Sequence, residues 1–169
     1  MLELRRLSGE DRTMEQLQEV LEAAPNYFQR VTGQPPRPSE AISTYTILPP
    51  GKTDADKFVF GIFLNKTMVG CIDIVRGYPD SQTAYIGLLL LWEDHARRGI
   101  GSASFRIAES EVQAWTEIQK IRLAVIATNR EVLPFWERRG FRRTGEIKPW
   151  RQEKIASEAI LMEKQVRGI

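Results

Sequence analysis

A chain of 169 residues that is 42% hydrophobic and 27% charged carries enough apolar material for one buried core, little room for a second, and too much for disorder. A net charge of +2 argues against an extended nucleic-acid footprint or a basic membrane-surface patch, so any anion binding must be local. One cysteine, Cys71, precludes an internal disulfide, and one histidine, His95, leaves no Cys/His metal cluster. No apolar run is long enough to span a bilayer and no leader is recognisable, so a reducing cytoplasm is the expected compartment.

In chain order, LELRRL (2–7) reads as a short strand and DRTMEQLQEVLEAA (11–24) as a helix. Met14, Leu17, Val20, Leu21 and Ala24 recur at helical spacing, with Asp11 as the cap. The next segment is broken by Gly33, Pro35, Pro36, Pro38, Pro49, Pro50 and Gly51, with room for short helices at Tyr27–Val31 and Ser39–Thr46. Residues 26–52 read as a functional cover rather than a linker. KFVFGIFLN and TMVGCIDIVR, parted by Asn65 and Lys66, form an antiparallel hairpin. Cys71 alternates with its neighbours as a buried structural thiol.

After the turn GYPDSQ, TAYIGLLLLWE is too continuously apolar for a one-sided strand and reads as central, covered on both faces. From Gly101 a helix places Phe105, Ile107, Ala108, Val112 and Trp115 on one stripe, and KIRLAVIATN returns to a buried strand. Strand, helix and strand imply a right-handed parallel βαβ crossover. REVLPFWERRG fits a short helix closed by Gly140 whose regular turns begin near Pro134, and FRRTGEIKPWR and SEAILMEKQV are two more strands. The expected fold is α/β (α+β): one domain over 1–169, a central mixed, mostly antiparallel sheet with one parallel βαβ unit, and helices on both faces.

The segment HARRGIGSAS, His95 to Ser104, sets two arginines and two glycines at the start of a helix. Such a helix end offers N–H groups without intrahelical acceptors and a partial positive charge, which together suit an anion. Gly99 and Gly101 remove side chains so that phosphate oxygens can approach the backbone, while Arg98, Ile100, Ser102 and Ala103 can offer N–H groups. Arg97 and Arg98 add charge. A dinucleotide fingerprint would follow the first strand and place a third glycine where Ser104 stands; a mononucleotide loop would need Gly-Lys-Ser/Thr after Gly101. Neither pattern is present.

The chain resembles the GNAT superfamily of N-acetyltransferases from about Lys57 to Phe141 and, by the order of its elements, over nearly its whole length. ARRGIG, Ala96 to Gly101, resembles that family's turn of Gln or Arg, two variable residues, Gly, one variable residue, and Gly or Ala. NREVLPFWERRGF, Asn129 to Phe141, resembles its second signature, in which an Asn ends a strand and a short helix carries an aromatic before a closing Gly-Phe. The resemblance implies an acetyl-CoA-binding core at 83–141 and an acceptor-side wall at 26–52. It places the cosubstrate on Ala96, Arg97, Arg98, Gly99, Ile100, Gly101, Ser102, Ala103, Asn129, Phe135 and Trp136, with the pantetheine beside the backbone of Leu89, Leu90 and Leu91. No metal is implied.

Two positions depart from the family pattern. Ala96 stands where a Gln or Arg is usual, which leaves the backbone cradle. Trp136 stands where the family has a tyrosine that protonates the departing thiolate, and an indole N–H cannot do this at neutral pH. For the base that takes the amine proton, Asp73, Tyr85 and Glu93, with Tyr78, border the expected cleft. Tyr27, Phe28, Arg30, Arg37 and Tyr45 are wall candidates on the acceptor side. The implied activity is direct acetyl transfer to a primary amine of a small molecule or a peptide or protein N-terminus, without a covalent acyl-enzyme. A non-catalytic acyl-CoA sensor or interaction module on the same fold is the alternative. No nucleic-acid or membrane partner is expected, and homodimers are common among proteins of this appearance.

Overall fold

Among the described residues seven strands form one sheet, whose central members are rich in β-branched and aromatic residues and bury apolar side chains against helices on both faces. The structure, a computed structural model, describes residues 1–96 and 98–167. The strands are β1 (Leu2–Arg6), β2 (Lys57–Leu64), β3 (Thr67–Arg76), β4 (Thr83–Leu91), β5 (Lys120–Ile126), β6 (Arg142–Gln152) and β7 (Ile155–Gln165). They lie in the order β1-β2-β3-β4-β5-β7-β6. Among the described residues only β4 and β5 run parallel; every other neighbouring pair is antiparallel.

The helices are α1 (Asp11–Glu22), α2 (Pro25–Val31), α3 (Glu40–Thr46), α4 (Ile100–Gln113) and α5 (Leu133–Arg138). On one face, Phe105, Ala108 and Val112 of α4 and Leu133 and Trp136 of α5 pack against Ile72, Ile74, Ala84, Ile86, Ile121 and Leu123. On the other, Leu17, Val20 and Leu21 of α1 and Ala41 of α3 pack against Val59, Phe63, Cys71 and Leu90. Cys71 is fully buried, and burial, with Asp73 adding to it, pushes its thiol up to about 12.

One irregularity in the sheet sets the shape of the site. The β3–β4 register slips between Asp73 and Ile74, pairing Asp73 with Leu88 and Ile74 with Ile86, so that Gly87 is an extra, unpaired residue. A bulge of this kind turns the following side chains to the opposite face. Ala84 and Ile86 therefore face α4, whereas Leu88 and Leu90 face α1. The β4–β5 ladder stops at the same point: Ile86 pairs with Leu123, and no pairing joins Leu88–Leu91 to the end of β5. The two parallel strands part into a V.

Several element boundaries differ from expectation by a residue or two, and three of the differences move a named residue. Asp11 is the first helical residue rather than the cap; Glu10 precedes it without a side-chain cap bond, and the Asp11 carboxylate serves the helix dipole from the first turn. α4 ends at Gln113, and Trp115 sits in the following turn with its ring 4.6 Å from that of Phe58. β5 ends at Ile126, so Asn129 belongs to a 3₁₀ turn over Ala127–Val132, in a non-helical conformation, rather than to a strand end. β6 is exposed along most of its length, and its pairing with β7 is interrupted between Arg143 and Ile147. Among the described residues, no helix is long and apolar enough to cross a membrane.

Gly70 fixes how closely β3 and β4 approach just beyond the bulge. A Cβ there would lie 2.5 Å from the Leu90 carbonyl oxygen and 2.7 Å from Leu91 Cδ2. Gly70→Ala is therefore expected to destabilise the fold by about 1–3 kcal/mol through overpacking, read as a lowered midpoint of thermal unfolding.

Candidate active site

The parted strands enclose a cleft of about 1050 Å³. One wall is the bulge and free end of β4, Gly87 to Leu91; the facing wall is the end of β5, Leu123 to Ile126. Asn26, Tyr27, Arg30 and Val31 of α2 cover one side, while Ala96, Gly99, Gly101 and Ser102 close one end. Asn129, Phe135, Trp136, Arg138 and Arg139 complete the enclosure from the 3₁₀ turn and α5.

At the closed end the backbone does most of the work. Gly99 has φ 76°, the left-handed region that favours glycine, and is the residue from which α4 starts. A Cβ on Gly99 would meet nothing within 4 Å among the described residues, so the chain is open beside this residue, next to the helix's first N–H groups. At Gly101 a Cβ would touch Leu91 Cδ1 and Phe135 Cε1 at 3.4 Å, so this glycine keeps α4 close to β4 and α5. Ile100 is buried, Ala103 half-buried and Arg98 exposed; these three do not line the cleft. Arg97 lies outside the described residues.

The α5 wall is aromatic and cationic. Trp136, only 7% exposed, meets Phe105, Phe135 and Phe141 edge-on at centroid distances of 5.7, 5.0 and 5.3 Å. The Arg139 guanidinium lies 4.4 Å from the Phe135 ring centroid, and its Nε is buried without a hydrogen-bond partner. Burial, together with the charges of Arg138 and Arg106, depresses the Arg139 pKa. None of these three arginines is ion-paired with a carboxylate among the described residues. Such an uncompensated cluster suits a polyanion. Sequence reasoning passed over it because ERRG, read locally, is only a helix end.

The acid–base candidates separate clearly. Asp73 is half-buried on β3, outside the cleft lining, with Oδ2 3.3 Å from Lys57 Nζ and Oδ1 buried without a partner. Burial pushes its carboxyl up to about 6, against the opposing pull of Lys57. Its carboxylate lies directly behind the bulge: a Cβ on Gly87 would come within 2.8 Å of Oδ2. Lys57 Nζ also donates to the Ile47 carbonyl, which ties the pair to the segment after α3.

Tyr85 precedes the bulge, outside the cleft lining, with its ring 5.5 Å from that of Tyr78. Burial first and Tyr78 second raise its pKa. Glu93 lines the cleft, but its carboxylate is engaged: Oε1 accepts from Asn26 N at 2.8 Å and Oε2 from Asn26 Nδ2 at 3.2 Å. On the acceptor side, Tyr27 and Arg30 reach the cleft, whereas Phe28 packs into the core beneath α1, Tyr45 packs at its edge, and Arg37 pairs with Glu40 and Glu153. Burial drives the Tyr27 phenol well above its ordinary range, with Cys71 and Glu40 adding to the effect.

A family model described as acetyltransferase (GNAT) family matches residues 17–141. Among curated proteins, none matches the sequence. Among solved structures, an acetyltransferase from Thermus thermophilus superposes with a TM-score of 0.76 at 22% identity, over 98% of this chain and 97% of that one. The ribosomal-protein-S18-alanine N-acetyltransferase from Escherichia coli gives 0.69 at 17% identity, over 100% and 96%. A GNAT family acetyltransferase from Elizabethkingia anophelis with acetyl-CoA bound gives 0.63 at 14% identity, over 97% of each chain.

The raised Asp73 pKa has a stability consequence of definite sign. A carboxyl that titrates near 6 when folded and near 3.8 otherwise holds its proton more tightly in the folded chain, so stability falls as pH rises between those values and levels off above. Denaturant unfolding from pH 4 to pH 7 is expected to show wild type losing up to about 3 kcal/mol relative to Asp73→Asn across that window.

Proposed function

The chain belongs to the acetyltransferase (GNAT) family, and on that footing we propose that it transfers the acetyl group of acetyl-CoA directly to a primary amine of a small molecule or a peptide N-terminus. The observation that carries this reading is the V between β4 and β5, which ends on a glycine-started helix. The residues present fit the cosubstrate. Open space beside Gly99 and the first amides of α4, those of Ile100, Gly101 and Ser102, suit the pyrophosphate, with Ala96, Gly99, Gly101 and Ser102 lining the cleft there; the Ala103 N–H is already given to the Gly99 carbonyl at 3.0 Å. Leu89, Leu90 and Leu91 lack a β5 partner, so their strand edge can bind an amide-bearing chain by β-type pairing. Asn129, Phe135 and Trp136 border the same space.

Acetyl-CoA supplies, when bound, an acetyl group activated on sulfur. The protein's share is to hold a neutral amine against it, to offer N–H donors where negative charge develops, and to receive a proton. Asp73 is the best-supported proton acceptor: its free Oδ1 and its pKa of about 6 leave it ionised yet basic near neutrality. Lys57 holds the carboxylate in place. Tyr85, on the strand before the bulge, is less favoured because its phenol titrates upward, and Glu93 because its carboxylate is committed to Asn26. The C–N bond forms as the C–S bond breaks, and the thiolate departs without help from Trp136, whose indole is no acid at neutral pH. A thiolate with a pKa of about 8.5 tolerates this.

Binding is tested by thermal unfolding with acetyl-CoA, with free CoA, and with NAD as a comparison. Acetyl-CoA at about 100 times its dissociation constant should add about 2.7 kcal/mol and raise the unfolding midpoint by several degrees, while NAD adds nothing. Thiol release on a panel of amines then reads turnover. Binding without turnover on any amine favours the sensor, which Trp136 makes a specific alternative, and no stabilisation by CoA overturns the reading of the turn. In an active preparation, Asp73→Asn is expected to lower thiol release by about 10²-fold or more. It should also remove the rise in rate near pH 6, with the acetyl-CoA-induced stabilisation retained.

A further inference from the structure

α2 is seven residues long and is fastened to both arms of the V. At its start, Glu93 accepts from the backbone N and the side-chain Nδ2 of Asn26 at 2.8 and 3.2 Å, and the Glu93 N–H donates to the Ala23 carbonyl at 3.2 Å. At its end, Thr128 Oγ1 donates to the Arg30 carbonyl at 2.6 Å, and the Arg30 guanidinium reaches Asn129 Oδ1 at 3.5 Å and pairs with Glu131. The first set of anchors follows β4 and the second follows β5. Through these bonds α2 spans the mouth of the cleft and carries Tyr27 and Arg30 into its wall.

The Glu93 anchor also belongs to the turn that leads into α4. Glu93–His95 is a 3₁₀ turn closed by Ala96 N–H donating to the Glu93 carbonyl at 3.1 Å, and Ala96 is the first cleft-lining residue of the glycine turn. A single turn of backbone therefore joins the site proposed for the pyrophosphate to the carboxylate that holds α2. Hydrogen bonds to an ionised acceptor are the strong kind, so a displacement of this turn is passed to α2 rather than absorbed.

We infer that Glu93 is a positioning residue: it couples occupancy of the phosphate-binding turn to the placement of α2, and through α2 to the wall that receives the amine. The inference rests on the acetyl-CoA reading of the turn. Glu93 moves no proton in this role. It makes the acceptor wall firmer when the turn is occupied.

The test is amide hydrogen exchange on the full chain with adenosine 3′,5′-bisphosphate, which presents phosphates to the turn but has no pantetheine to touch α2. In wild type, the probe is expected to slow exchange both at 99–103 and at α2, the latter by about fivefold or more, the lower bound of a typical coupling between sites. In Glu93→Ala the slowing at 99–103 should persist while that at α2 is lost, and Glu93→Gln, which keeps one acceptor for Asn26, should fall between. Asn26→Asp, which sets two carboxylates together, should behave like Glu93→Ala and stands in for it if that variant does not fold. A merely structural Glu93 would speed α2 exchange equally with and without the probe, and that result overturns the inference. Slowing at 99–103 with none at α2 in wild type overturns it as well. No slowing at either place in wild type instead overturns the phosphate reading of the turn, and the coupling falls with it.

Discussion

Everything distinctive about this molecule depends on one extra residue in one strand. Gly87 has no partner on β3, and because the side-chain period of a strand is two, its insertion exchanges the faces of all that follows. Leu88 and Leu90 turn towards α1 instead of α4, and the ladder to β5 ends at Ile86. A sheet that would otherwise be closed by hydrogen bonds is left with two unpaired strand edges facing one another. Buried backbone groups without partners are costly, and this cost is tolerated where a ligand or water satisfies them.

The charges around this opening divide the labour. Arg138 and Arg139 line one side of the cleft with Arg106 beside them, none ion-paired among the described residues, and the start of α4 adds the partial charge of its dipole. Like charges held together raise the free energy of the empty protein, and a polyanion relieves them. Behind the bulge the arrangement is reversed. A carboxylate with an unused oxygen sits beside one lysine, kept weakly acidic by burial. Arginine thus gathers at the α5 wall of the cleft, while the weakly acidic carboxylate lies behind the bulge, outside the cleft lining.

Much of this was legible in the sequence, and for identifiable reasons. The β-rich runs KFVFGIFLN and TMVGCIDIVR gave the hairpin, the apolar run of β4 gave its central place, and the paired glycines marked where a helix starts. The bulge was not legible, because a run of four leucines has the same composition on both faces and Gly87 reads as one more small residue among them. The role of Glu93 was hidden for a different reason: its partner Asn26 lies 67 positions away, and a carboxylate at a cleft edge looks like a base until its lone pairs are found engaged. Asp73 was one of several acids and phenols of equal standing until packing left its oxygen without a donor. Asn129 was placed at a strand's end, whereas the chain had already turned.

The outer strand has a bearing on colloidal behaviour. β6 is eleven residues long and terminates the sheet, and a bare strand of that length is a template on which copies of a chain can stack into fibrils. This one is interrupted near Gly145, lacks a donor at Pro149, and carries Arg142, Arg143, Lys148 and Arg151 along its exposed length. Each feature spoils the flat, uncharged register that cross-β growth requires. The protein is thereby guarded against ordered aggregation at its most vulnerable border, and the guard lies at the opposite edge of the sheet from β1, where the chemistry of the cleft makes no demand on it.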